Sequence, residues 1–187
     1  GHPALVDLPE GASLEGFLYP DSYQFIAETT PQDIIKQSLD EMAETLTPEI
    51  RAGIAQQGLS VYRGIILASI VEREVGERGA DGQVNDNRAK VAQVFLRRLN
   101  IGMKLQSNAT DGYPAEYDTY SIDGLPPEPI SNVSSSSLQA VANPAQASYL
   151  YFVSGSDCVT RFSNTNEEHE ALKSAHGIAK PEDNCQG

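Results

Sequence analysis

Hydrophobic residues recur at the three-to-four-residue spacing of an α-helix in several separate stretches of the chain. Thr30 is predicted to cap the first helix, because Pro31 follows it at the position where a helix accepts proline. A second helix is predicted to start at Thr47 and to end near Gly58. The expected buried face of the first helix comprises Ile34, Ile35, Leu39, Met42 and Ala43.

The next two helical stretches differ in how polar their surfaces are. The third starts at Ser60 or Tyr62, and its centre, GIILASIV, is apolar on every side, which is typical of a buried helix. A polar loop over residues 76–85 separates it from an amphipathic stretch, NRAKVAQVFLRRLN. Asp86 is the expected cap of this fourth helix, and Gly102 is expected to end it.

Regular patterning stops between Met103 and Ser137, where glycine, proline, serine, asparagine and tyrosine dominate. A stretch of about 35 residues is too long for a plain connection within a compact domain. Its aromatic content argues against disorder, so we predict an ordered functional surface. A short helix, SSLQAVANP, and a strand, SYLYFVSG, follow, and RFSNTNEEHEALKSAH is predicted to end a second strand and form the last helix.

These elements predict an α+β fold, in which helices pack on a small mixed or antiparallel sheet and the long ordered loop region lines a cleft. The expected strands lie in residues 14–26, around Tyr120 and in residues 148–153. No apolar run approaches the roughly 18 residues of a membrane span. We therefore expect one domain over residues 13–187.

The charge balance excludes two classes of partner. Acidic residues outnumber basic ones by 26 to 13, which gives a net charge of −13. Nucleic acid and anionic membrane surfaces both require clustered lysine and arginine, so neither is an expected partner. Cys158 and Cys185 either form one disulfide, as in an oxidising compartment, or remain two thiols.

Histidine, glycine and lysine patterns support no common cofactor chemistry. His169 and His176 lack the i,i+4 spacing of a helical metal pair, no histidine neighbours a G-x-S-x-G turn, and no glycine-rich phosphate loop is present. We therefore expect no metal and no cofactor. A lyase acting on a small metabolite would need a lysine in a pocket, but the lysines lie in polar contexts: Lys36, Lys90, Lys104, Lys173 and Lys180.

Glu72 is the best candidate for chemistry, because it follows directly on the apolar run Ile66–Val71. A carboxyl group at the edge of an apolar helix loses hydration, which penalises its ionised form. Such a group can donate a proton to a glycosidic oxygen. The alternative is that Glu72 is simply the first solvated residue of a helix that leaves the core.

The tyrosines of the long loop allow a second pair of interpretations. Tyr113, Tyr117 and Tyr120, together with Asn108 and Asn132, have the composition of a carbohydrate groove, where aromatic faces stack on sugars and amides bind hydroxyls. The same tyrosines are also suited to packing within a proline-rich loop.

Five blocks of the sequence, in matching order over residues 14–169, resemble the YceG-like (MltG) family of endolytic murein transglycosylases. The first two blocks are LEGFLYPDSYQF and ILASIVERE. The third is VAQVFLRRLNIGMKLQSNAT, the fourth runs from YDTYSIDGLPPEPISNV to YLYFV, and the fifth is RFSNTNEEH. On these motifs the chain is identified as a member of that family.

The resemblance implies a bacterial lytic transglycosylase that cleaves the MurNAc–GlcNAc β-1,4 bond of peptidoglycan without water and leaves 1,6-anhydro-MurNAc ends. It implies that Glu72 is the catalytic residue, which first protonates the departing oxygen and then assists attack by the muramic acid C6 hydroxyl. Glu74 is expected to support the site by hydrogen bonding. The other residues expected to support the site or bind substrate are Ser69, Gln106, Asn108, Thr110, Tyr117, Thr119, Tyr120, Pro126 and Asn132.

The third and fourth blocks depart from the family pattern. Asn108 stands where the pattern has an acidic residue, Val133 stands where it has proline, and an insert expected after Thr110 is nearly absent. Each departure could weaken activity. The alternative function is therefore a peptidoglycan-binding or scaffolding domain of the cell envelope with little catalysis.

The resemblance also implies a location and partners. Relatives typically carry a membrane helix and a LysM-like lobe before the catalytic part, so residues 1–12 are expected to be the tail of that lobe or an expression-tag remnant. The expected location is the extracytoplasmic face of the cell membrane, through a membrane anchor. The expected partners are peptidoglycan strands and, by resemblance alone, cell-wall synthases and the division or elongation machinery.

Overall fold

The fold is known from a computed structural model, which describes residues 2–75 and 87–179. Those residues form six α-helices and one two-stranded sheet. The helices are α1 Pro31–Thr45, α2 Pro48–Gln56, α3 Val61–Glu74, α4 Asn87–Asn100, α5 Ser135–Ala142 and α6 Asn166–His176. The strands are β1 Tyr151–Ser154 and β2 Thr160–Ser163, and single 3-10 turns occur at Pro3–Leu5, Asn108–Thr110 and Ala115–Tyr117.

Side-chain caps set the starts of five of these helices. A hydroxyl at each N-cap accepts the backbone N–H of the residue three positions ahead, which satisfies a donor that the helix leaves unpaired. The capping residues are Thr30, Thr47, Ser60, Ser134 and Thr165. The predicted starts of the first three helices are confirmed, whereas the expected cap Asp86 and the loop over residues 76–85 lie outside the described residues.

Helix α3 forms the centre of the core, as its apolar sequence predicts. Nine of its residues are buried, among them Ile65, Leu67 and Ile70, whose side chains are fully inaccessible. Helices α2, α4 and α5 all pack against it. The last turn of α3 therefore emerges from the interior at a fixed position, and Glu72 and Glu74 lie on that turn.

The α+β fold class is confirmed, but two of the expected strands are wrong. The sheet is antiparallel and pairs β1 with β2, with Phe152 opposite Phe162. Residues 14–26 form turns and unpaired extended chain, because a turn at Gly16 (φ +86°) directs Phe17 into the core. The segment around Tyr120 folds into turns instead, in which Ser121 and Ile122 both donate to the Asp118 carbonyl.

The predicted buried face of α1 is only half right. Leu39 and Met42 are buried, but Ile34 and Ile35 are 37% and 39% exposed. The core contacts of α1 are made by its later turns, so the apolar residues of its first turn lie beyond the packed surface. Among the described residues no single helix is long and apolar enough to cross a membrane, and α2 and α3, which together would suffice, meet at a bend of 87°.

The long loop between α4 and α5 is ordered by contacts with itself and with α3, as predicted. Gln106 N–H donates to the Thr119 carbonyl (3.0 Å), which joins two distant parts of the loop. Ile130 N–H donates to the Ser69 hydroxyl (3.0 Å) on α3. Leu105, Ile130 and Val133 of the loop are buried. The loop thus lies against the end of α3 that carries the two glutamates.

Candidate active site

Glu72 projects from the last turn of α3 towards the start of α5, and its side chain is 20% exposed. Its Oε2 atom accepts hydrogen bonds from the backbone N–H (3.0 Å) and the hydroxyl (2.6 Å) of Ser134. Its Oε1 atom accepts one from Nη2 of Arg88 (3.2 Å). Both carboxylate oxygens therefore have donors, and the carboxylate is held in one orientation.

Arg88 is the residue that makes these surroundings polar. Its side chain comes from the first turn of α4 and is 6% exposed. Besides Glu72, it donates to the Val75 carbonyl through Nε (3.1 Å) and Nη2 (3.0 Å), and to the hydroxyls of Ser134 and Ser136. The expected apolar surroundings of Glu72 are therefore wrong, because a buried guanidinium from α4 reaches the end of α3.

Glu74 lies two positions further along the same helix, about 200° around its axis, and faces the long loop instead. Its Oε1 atom accepts hydrogen bonds from the Ser107 hydroxyl and from the Ala109 N–H (3.4 Å). Burial raises the pKa of the Glu74 carboxyl. The two hydrogen bonds act against this rise, the negative charge of Asp111 adds to it, and the positive charge of Arg98 acts against it.

The two threonines predicted to support the site are buried in the loop that faces Glu74. The hydroxyls of Thr110 and Thr119 lie 3.1 Å apart, and both also donate to the Ser107 carbonyl. Ser107 N–H donates to the Thr119 hydroxyl in return (2.9 Å). These hydroxyls are all used within the protein, so they fix the position of Ser107 beside Glu74 rather than face solvent.

Three other predicted residues link segments that are distant in sequence. Ser69 is fully buried, and its hydroxyl donates to the Ile66 carbonyl and accepts from Ile130 N–H. Asn132 accepts from Gly16 N–H at 2.9 Å, which connects the first sequence block to the fourth. Pro126 is buried.

The exposed members of the predicted site lie on the loop beside Glu74. Gln106 and Asn108 are exposed, and the Asn108 amide oxygen accepts from the Tyr120 hydroxyl at 2.6 Å. The Tyr120 side chain is 47% exposed. Tyr117 is half-buried and contacts Tyr113, with ring centroids 5.6 Å apart. A ligand at this loop could reach two amides and an aromatic face.

Gln106 also has an unusual backbone conformation, with a φ of +52°. Residues other than glycine rarely adopt this left-handed backbone conformation, so contacts with neighbouring residues must stabilise it at Gln106. Arg98 supplies part of that hold, since its buried guanidinium donates to the Leu105 carbonyl and reaches the Gln106 side chain at 3.5 Å. The same guanidinium lies over the Tyr151 ring, 5.2 Å from its centroid.

Sequence reasoning missed Arg88, Arg98, Ser107 and Ser134. One signal could have indicated Arg88: on α4 it shares a helical face with Val91 and Phe95, both of which are buried. A charge on an apolar face requires a buried partner. No comparable signal marks Ser107 or Ser134, because their partners come from a different element.

The described histidine, cysteine and acidic side chains were compared with the requirements of a metal site. Within residues 2–75 and 87–179, no group of three histidine, cysteine, aspartate or glutamate side chains could hold a metal ion. Cys158 is disulfide-bonded, and Cys185, the other cysteine of the chain, lies outside the described residues.

Comparison with known proteins supports the sequence motifs. The sequence model of the YceG-like family matches residues 4–175. The chain belongs to the YceG-like family. The crystal structure of a YceG-like protein from Listeria monocytogenes superposes with a TM-score of 0.74 at 30% identity, covering 92% of this chain and 59% of that one.

Two proteins similar to this chain carry the name endolytic murein transglycosylase. The Bacillus subtilis (strain 168) protein is 31% identical over 90% of this chain, and the Streptococcus pneumoniae (strain D39) protein is 28% identical over 89%. The matched regions are 49% and 33% of those proteins. The chain thus spans about half the length of the first relative and about a third of the second.

Proposed function

We propose that this chain is the catalytic part of an endolytic peptidoglycan lytic transglycosylase, with Glu72 as its catalytic glutamate. The observation that carries the proposal is the position of Glu72, which emerges from a buried helix and is held in one orientation by Ser134 and Arg88. The similarity to the two bacterial murein transglycosylases supports the choice of substrate.

The proposed reaction breaks the bond between C1 of MurNAc and O4 of the following GlcNAc. A proton reaches O4, which leaves with the bonding electrons as a free hydroxyl. The C6 hydroxyl of the same MurNAc attacks C1 and loses its proton, so a 1,6-anhydro end forms without water. Because the substrate supplies its own nucleophile, one glutamate can act first as acid and then as base, which is the role implied for Glu72.

The exposed loop beside Glu74 is the proposed contact surface for the glycan. Gln106 and Asn108 provide amides for sugar hydroxyls, and the half-exposed ring of Tyr120 provides a face for stacking. Thr110 and Thr119 hold this loop in place, Tyr117 packs beneath it, and Ser69, Pro126 and Asn132 support its return to α3.

The family membership also supports a proposal for the domain bounds, location and partners of the protein. Residues 13–187 are proposed to be the catalytic domain, and residues 1–12 the tail of an upstream lobe. The proposed location is the extracytoplasmic face of the bacterial cell membrane, with the protein anchored there, and the protein partners proposed are cell-wall synthases with the division or elongation machinery.

Glu72→Gln tests the catalytic assignment. Glutamine keeps the shape and accepts hydrogen bonds from Ser134, but it cannot exchange the proton, so release of anhydro-muropeptides from peptidoglycan should fall at least about 100-fold. Mass spectrometry of the digest measures the product ends, and circular dichroism checks the fold.

The exposed Glu10→Gln is the matched control and should cleave at the wild-type rate. Unchanged release of anhydro ends by Glu72→Gln would refute its role. Wild-type protein that sediments with peptidoglycan yet yields no new ends would refute the proposed activity and favour a binding domain.

A further inference from the structure

We infer that Arg98 is a positioning residue for glycan binding. From α4 it fixes the peptide group before Gln106, so that the Gln106 amide is presented to the substrate as a hydrogen-bond donor. The inference rests on the proposed function, because it assigns a defined contact to the loop that was proposed to bind the glycan. It follows from the way in which the structure holds one strained and exposed residue.

Gln106 is an exposed residue between two buried ones. Its neighbours Leu105 and Ser107 are 0% and 1% exposed, whereas Gln106 faces solvent. Its φ of +52° lies in the left-handed region, which is unfavourable for any residue that carries a Cβ. Such a conformation persists only where the surroundings determine it strongly, and it is frequent at ligand sites.

The peptide group before Gln106 is held at both of its polar atoms. Arg98 Nη1 donates to the Leu105 carbonyl, and Gln106 N–H donates to the Thr119 carbonyl at 3.0 Å. The peptide group after Gln106 is held as well, because Ser107 N–H donates to the Thr119 hydroxyl at 2.9 Å. These three hydrogen bonds fix the rotation about both backbone bonds of Gln106. Of the three, only the one from Arg98 comes from outside the loop.

Arg98 is itself held firmly enough to act as a reference point. It is 5% exposed, its Nε atom donates to the Leu150 carbonyl at 2.8 Å, and its guanidinium lies over the Tyr151 ring, 5.2 Å from the centroid. A planar guanidinium donates in two fixed directions at once, which the single ammonium group of lysine on its flexible stem does not reproduce. Arg98 therefore ties Leu105 to the chain that enters β1.

The partners of Arg98 are carbonyl oxygens and an aromatic ring. Across residues 2–75 and 87–179, no carboxylate forms an ion pair with it. Burial of a cation without an ion-pair partner is costly to folding, so a gain in stability does not explain this arginine. Its hold on the strained peptide group does explain it.

The guanidinium also orients the side-chain amide of Gln106. Arg98 Nη1 reaches the Gln106 Oε1 atom at 3.5 Å, and because a guanidinium only donates, the amide oxygen is the atom that faces it. The amide nitrogen Nε2 has no partner within residues 2–75 and 87–179. Gln106 is thus presented to solvent as a donor, and the group that it fits on the glycan is an acceptor oxygen.

Arg98→Lys separates this role from a purely structural one. Lysine keeps the buried charge but not the second donor direction, so the Gln106 amide is no longer held in place. KM for peptidoglycan should rise at least about tenfold while kcat falls less than about threefold, measured as the release of anhydro-muropeptides. The exposed Arg97→Lys, one position earlier on α4, is the control and should match wild type in both constants.

A double-mutant cycle tests whether Arg98 acts through Gln106. Gln106→Gly removes the amide but adopts a positive φ without strain, so it should unfold at a higher urea concentration than Gln106→Ala. Both variants should nevertheless raise KM at least about tenfold. Addition of Arg98→Lys to Gln106→Gly should then change KM by less than about twofold, because the group that Arg98 positions is already absent.

Gln106→Glu tests the donor role directly. Glutamate keeps an oxygen for Arg98 and removes the Nε2 donor, so the fold should be retained while KM rises at least about tenfold. The rise should persist at about 300 mM salt, where repulsion between the new charge and the acidic polymer is screened.

Two outcomes would overturn the inference: a wild-type KM for Arg98→Lys or Gln106→Glu, or an effect of Arg98→Lys that persists in full in the Gln106→Gly background. Failure of the proposed function is distinguishable by calorimetric titration with a GlcNAc–MurNAc tetrasaccharide, whose Kd should change in parallel with KM. Gln106-dependent binding without release of anhydro product would support the inference and refute the proposed activity.

Discussion

At the scale of single residues, the surroundings rather than the residue type separate Glu72 from Glu74. Both are glutamates on the last turn of α3, two positions apart. Helical geometry directs the two side chains to different neighbours. Glu72 accepts hydrogen bonds from Arg88 and Ser134, and Glu74 accepts them from Ser107 and Ala109. Among residues 2–75 and 87–179, hydrogen bonds reach both oxygens of Glu72, one of them from a cation, whereas those of Glu74 reach only its Oε1 atom.

The burial of Glu74 predicts a pH-dependent cost to stability. Its pKa is raised in the folded state, so its favourable contribution is complete below the ordinary pKa of a glutamate and is lost as the pH rises through the folded value. As the pH rises above the ordinary pKa of a glutamate, the stability of wild type should therefore fall relative to that of Glu74→Gln. Urea unfolding of both proteins at a series of pH values measures the free energy of unfolding of wild type minus that of Glu74→Gln. This difference should decrease as the pH rises, and a difference that stays constant or increases would contradict the prediction.

At the scale of elements, the site depends on two irregular segments that meet over α3. The turn at Gly16 donates its N–H to Asn132, and the chain at Ile130 donates to Ser69. A Cβ added at Gly16 would lie 2.7 Å from Pro129 and 2.9 Å from Ile65. Gly16 of the block LEGFLYPDSYQF therefore has a structural role, because the absence of a side chain allows the N-terminal segment to pack closely against the long loop.

Two alanine substitutions test this contact. Gly16 and Gly11 have nearly equal φ angles, +86° and +81°, but a Cβ at Gly11 would have nothing within 4 Å. Gly11→Ala should cost about 1 kcal/mol from backbone strain alone, whereas Gly16→Ala should cost about 3 kcal/mol or more, because it adds a clash with a rigid proline ring. Chemical denaturation measures both, and equal losses would show that the close approach is unimportant.

At the scale of the whole molecule, the dominant feature is the net charge of −13. Peptidoglycan carries carboxylates on its stem peptides, so long-range attraction cannot guide this protein to the proposed substrate. Affinity would have to come from short-range stacking and hydrogen bonds at the loop. Arg88 and Arg98 are buried, form hydrogen bonds inside the fold and are not available to offset the repulsion.

This charge predicts an unusual response to salt. When ionic strength rises from about 10 mM to about 300 mM, screening should weaken the repulsion, so KM for peptidoglycan should fall. A peptidoglycan whose carboxyls have been amidated is the control, and its KM should change less. A KM that rises with salt for the native polymer would instead indicate a local basic binding surface.

The sequence alone determined the helices and the fold class, and through its motifs the family. The sequence shows directly the interactions between residues close together in the chain. These interactions set the helix starts at Thr30, Thr47 and Ser60, and the continuous apolar run of α3 predicts its burial. The tertiary structure decided which segments pair. The strand expected in residues 14–26 is wrong because Phe17 packs into the core, and the strand expected around Tyr120 is wrong because Ser121 and Ile122 close turns on the Asp118 carbonyl. It also decided the surroundings of Glu72 and Glu74, because Arg88, Ser134 and Ser107 reach them from between 16 and 62 positions away along the chain. Periodicity records which residues are buried, but the donors that surround a buried carboxylate are set only when distant elements meet.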